Sequence, residues 1–143
     1  MLGDDARLFS RISSLFYLDE CLYHREDRPG SLSRLGLCER KFDELYNVKA
    51  VFDAVEKEYP QYRQLAESHL AGTCLKLLFA TFAEGEEHQY RSHSEEIMSI
   101  INRHYTSFLR NPNIPRNQRV LLAGCKTVNS ARITSKFYSK LSR

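Results

Sequence analysis

The sequence predicts a mainly α-helical protein: a bundle-like arrangement of three to five helices over residues 35–143, preceded by a short α+β segment over residues 1–34. Three observations predict it. After Arg34, apolar residues recur at intervals of three and four, the period of a helix with one buried face. Only six Gly and four Pro interrupt 143 residues, so enforced backbone breaks are few. The opening stretch departs from this pattern, with an aromatic run followed by a Pro-Gly turn. With 42% hydrophobic and 27% charged residues the composition is that of a folded domain, and a chain of this length can bury about two-thirds of its unfolded surface.

The elements follow in order. Residues Ala6 to Ser14 read as a short helix with Leu8, Phe9 and Ile12 apolar. "SLFYLDECLYH", Ser14 to His24, reads as one or two short strands, and "EDRPGS" as a turn set by Pro29 and Gly30. In "KFDELYNVKAVFDAVEKEY", the residues Phe42, Leu45, Tyr46, Lys49, Phe52, Val55 and Tyr59 form one helical stripe, with the Lys49 stem lying along it. Pro60 ends that helix and suits the first turn of the next, whose stripe is Tyr62, Leu65, Ala66, His69, Leu70, Leu77 and Ala80. Gly85 closes it. Ser92 and Glu95 match a capping box for a third helix, with Ile97, Ile100, Ile101, Tyr105, Phe108 and Leu109 on its apolar side. "NPNIP" is a loop, and a fourth and a fifth helix are expected to split around Thr127 to Ser130.

Several function classes find no support in the residues. Cys21, Cys38, Cys74 and Cys125 are widely spaced with no C-x-x-C, which signals neither a zinc knuckle nor a redox pair; reduced thiols packed as small hydrophobes are expected. "MLGDDARLF" lacks a basic region and a long apolar run, and the longest apolar block, Leu75 to Phe82, falls far short of the ~20 residues that span a bilayer. A cytoplasmic protein is expected, at most peripheral to the inner face of a membrane. "EGEEHQYRSHSEE" gathers His88, His93 and several Glu, yet an i, i+5 histidine pair near a helix break does not give metal-ligand spacing. No metal site is expected in the chain. His69 and His104 lie on or near apolar stripes and read as core or boundary residues rather than ligands.

Charge is unevenly divided. All 18 acidic residues lie at or before Glu96, whereas Ile97 to Arg143 contain nine of the 21 Lys and Arg. That end can be an ordinary solvated face, a surface for anionic lipid, or a surface for nucleic acid. Nucleic acid is disfavoured, because no recognition motif appears and the aromatics fit helical stripes. "KFYSKL" adds apolar anchors suited to a membrane interface.

Asp4 and Asp5 open a helical run, where acidic residues are welcome simply because they meet free N–H groups and the positive end of the helix dipole. Their setting suggests more. Gly3-Asp4-Asp5, then Tyr17 to Tyr23 ("YLDECLY"), then Arg28 to Ser33 ("RPGSLS") resemble, in order and residue type, the end of the catalytic domain of family 2 nucleotide-sugar glycosyltransferases. That family shows "GED" at a helix start, a strand ending in "LYYYR", and then "R-x-GS-[IL]-S". The resemblance is direct over Gly3 to Ser33 and looser through the helices to Arg143, where the family carries a variable helical tail. It implies that residues 1–34 are the C-terminal edge of a GT-A catalytic domain and residues 35–143 a helical C-terminal domain.

The resemblance also implies roles. Asp5 matches the general base, taking the proton of an acceptor hydroxyl as its oxygen attacks the anomeric carbon, and Asp4 stands where the family has Glu. His24, Arg25, Arg28 and Ser31 fall where substrate contacts are expected; the bland alternatives are strand-end surface residues and a turn serine that caps a helix. The departures are specific. The gap between Asp5 and Tyr17 is about one helical turn short of the family pattern. "LYHRED" replaces "LYYYRQ", so the family arginine aligns with Glu26 unless Arg25 serves. No D-x-D occurs anywhere in the chain, so the divalent metal (Mg or Mn) of the complete enzyme belongs to an upstream half and these residues alone are expected to be inactive. The implied partners are a nucleotide-sugar and a glycan or lipid-linked acceptor, and a second copy of the chain could satisfy the exposed sheet edge. The competing expectation is a stand-alone helical interaction or scaffold module with a basic surface for an anionic partner.

Overall fold

A computed structural model describes residues 36–83, 85 and 88–141, with side chains described to residue 138. The expected α+β segment, Met1 to Arg34, lies outside the described residues. What is described is helical, with no strand among the described residues. The helices are α1 (Glu39–Glu58), α2 (Arg63–Ala83), α3 (Arg91–Arg110), α4 (Arg116–Gly124) and α5 (Val128–Leu141), and a 3₁₀ turn, Pro60–Tyr62, joins α1 to α2.

The helix α2 is the axis of the bundle and touches each of the other four. Its sequence explains this position. Leu70, Ala71, Thr73, Cys74, Leu75, Leu77, Leu78 and Thr81 are all buried, so most of the middle of α2 is enclosed, with Lys76 exposed. Thr81 satisfies its hydroxyl on the Leu77 carbonyl one turn back, at 3.0 Å. Against α2, α1 lays Phe42, Leu45, Val48 and Phe52, and α3 lays Ile97, Met98, Ile100, Ile101 and Phe108. The expected stripe of α1 is therefore narrowed: Val48 rather than Lys49 completes it, and Tyr46 and Tyr59 stay exposed. Of the expected stripe of α2, Tyr62 lies in the preceding 3₁₀ turn and is exposed, and Leu65 and His69 are exposed on α2 itself, so all three fall outside the core.

The breaks follow local chemistry. Pro60 starts the 3₁₀ turn and Tyr59 Nα closes α1 on the Val55 carbonyl, so one residue stops one helix and begins the next. Gly85 takes φ 73°, the left-handed conformation that ends helices, just beyond α2. The expected capping box at Ser92 and Glu95 is corrected. The helix α3 starts two residues earlier than a cap at Ser92 would set, at Arg91, because Ser94 Nα already bonds the carbonyl of Tyr90, whose ring is buried against Phe42; Glu95 turns back to Arg91 at 2.8 Å instead. A capping box does occur at the head of α5. Thr127 Oγ1 accepts from Ser130 Nα at 3.2 Å, and Ser130 Oγ accepts from Thr127 Nα at 3.0 Å. Between α3 and α4, Asn111 Oδ1 accepts from Asn113 Nα at 2.9 Å, an Asx turn that aims the fully buried Ile114 into the core.

Candidate functional site

Asp4, Asp5, His24, Arg25, Arg28 and Ser31 lie outside the described residues. The structure does show where the chain that carries them joins the bundle. Leu37 is buried in the core, and its carbonyl accepts a long 3.5 Å hydrogen bond from the Tyr90 hydroxyl. Cys38 is extended, and α1 begins immediately after it. Leu37 and Cys38 thus lie at the end of the bundle built from the first turns of α1 and α3.

A polar chain crosses α1 and α3 at this end. Glu39 Oε1 lies 2.7 Å from His93 Nε2, which therefore carries the hydrogen, and the carboxylate fixes the ring. The imidazole stacks on Phe42, with centroids 4.0 Å apart and planes 10° from parallel. Its Nδ1 is 3.4 Å from the Tyr46 hydroxyl, which donates to Glu96 Oε2 at 3.3 Å; Lys49 then approaches Glu96 at 3.8 Å. Desolvation, reinforced by Glu96, pushes the Tyr46 phenol above its ordinary pKa, so it stays protonated and is no nucleophile at neutral pH. The chain works as a latch between two helices far apart in sequence. The sequence placed His93 in a solvated cap, and no local signal could reveal its partner 54 residues away.

Beside the latch is a cavity of about 280 Å³ lined by Phe82, His88, Arg91, Ser94, Glu95, Val128 and Arg132. Its lining mixes two apolar side chains with two guanidinium groups, an imidazole, a hydroxyl and one carboxylate. Ser94 Oγ is buried and makes no hydrogen bond, so this hydroxyl has no base to activate it. The cavity offers donors without a nucleophile–base pair.

A second polar cluster fastens the opposite end of α3. Glu67 is 1% exposed, the most deeply buried charged residue described. Its Oε2 accepts from Asn111 Nδ2 at 3.0 Å, and the same amide donates to the Gln64 carbonyl at 2.7 Å. Its Oε1 has no hydrogen bond and lies 3.7 Å from the Arg63 guanidinium and 3.9 Å from His104 Nδ1. His104 rests between Phe52 and Phe108. Burial lowers its pKa and outweighs the opposing pull of Glu67, whose oxygen is too distant for a hydrogen bond. The boundary role expected for His104 holds. Glu67 was missed, although its spacing from Leu70 and Ala71 sets it on the apolar face.

Cys38, Cys74 and Cys125 are free thiols, and burial pushes Cys74 up to about 12 and Cys125 up to about 11, which makes both poor thiolates. Among the described residues no group of three His, Cys, Asp or Glu is placed to hold a metal ion. The divalent metal implied by the resemblance therefore finds no ligand set among them. Among the described residues no helix is long and apolar enough to cross a membrane. No protein-family model, curated protein or solved structure matches the chain.

Proposed function

We propose that this chain is the C-terminal portion of a nucleotide-sugar glycosyltransferase of the GT-A type, with residues 1–34 the α+β edge of its catalytic domain and the five-helix bundle its tail. One observation carries the reading. Three motif-like pieces stand in order between Gly3 and Ser33, and Leu37, four residues after the last of them, is buried in the bundle core.

In this reading Asp5 accepts the proton of the incoming acceptor hydroxyl, Asp4 orients it, and His24, Arg25, Arg28 and Ser31 contact donor or acceptor. Inverting transfer then needs only one carboxylate from this segment. The diphosphate leaving group and its divalent metal are held by a half of the enzyme that carries a D-x-D, which residues 1–143 lack. The acceptor is a hydroxyl of a growing polysaccharide or a lipid-linked glycan, which favours a peripheral position at the inner face of a membrane.

The test uses the protein that includes the donor-binding half. Asp5→Asn abolishes sugar transfer there and leaves nucleotide-sugar binding intact. Retained turnover removes Asp5 from the base role. A coding sequence with no D-x-D ahead of Met1, and none in a co-expressed partner, would instead favour the helical interaction module.

A further inference from the structure

We draw no further inference here: the strongest candidate, the cavity of about 380 Å³ between the first turns of α2 and the last turns of α3 that Glu67 helps to line, carries nothing, because the unbonded Glu67 Oε1 is sealed from it and already faces the Arg63 guanidinium at 3.7 Å, and nothing in the structure shows what would occupy it.

Discussion

The helices α3 and α5 are both amphipathic, yet they turn their bulky residues in opposite directions. The helix α3 drives Ile97, Ile101 and Phe108 into the core, all fully buried, while α5 offers the core Ala131 and Ser135 and leaves Ile133 and Phe137 in solvent. The difference lies in the space each helix is given. The helix α3 spans a broad groove where α2 presents Leu70, Cys74, Leu77 and Leu78, and large side chains fill it at the density of a protein interior. The helix α5 passes the end of α4 where Gly124 lies so close to Thr134 that a side chain at 124 would collide with it. A periodic stripe in a sequence thus marks a face without saying whether it turns in or out.

The largest test of this contrast is at Phe108, which is fully buried between α2 and α3 with His104 stacked on it at 5.5 Å. Phe108→Ala should destabilise the fold by about 3–5 kcal/mol, read from urea unfolding midpoints. A loss below 1 kcal/mol would mean that the α3 groove is not the main core.

Gly124 comes next. A methyl group there would collide with the Thr134 hydroxyl, which donates to the Ser130 carbonyl at 2.9 Å. Gly124→Ala should therefore cost about 1–3 kcal/mol, and adding Thr134→Ala should recover most of it. Simple additivity of the two changes would show that α4 and α5 do not touch there.

A subtler probe is pH. Burial holds the His104 imidazole below its ordinary 6.5, so on acidification the unfolded chain takes up this proton before the folded one does. Stability should rise with pH through the window just below 6.5, and His104→Gln should flatten that rise. The opposite slope would mean that attraction to Glu67 outweighs desolvation. The smallest effect belongs to α5 itself: Ile133→Ser should change unfolding free energy by no more than about 0.5 kcal/mol, against several for an equivalent change at Ile101.

Much of this architecture was legible in the sequence because its determinants are local. Pro60 and Gly85 mark real breaks, the stripe from Ile97 to Phe108 is the buried face of α3, and the fourth and fifth helices do separate near Thr127. What escaped depends on residues distant in sequence. The start of α3 is set by the burial of Tyr90 against Phe42, which overrides the local box at Ser92 and Glu95. Tyr62 and Leu65 match the helical period but lie where no neighbour covers them. The clusters around His93 and Glu67 join residues some 50 and 44 positions apart, and no periodicity encodes such meetings. The expected catalytic edge is the reverse case: its signal is short, ordered and wholly in the sequence, and it lies outside the described residues.

Leu37 has a mechanical consequence. Its side chain sits in the core and its carbonyl is held from α3 through Tyr90, immediately ahead of the first turn of α1. Tension applied to the preceding residues would load two helices at once, in shear, instead of peeling the first one away turn by turn.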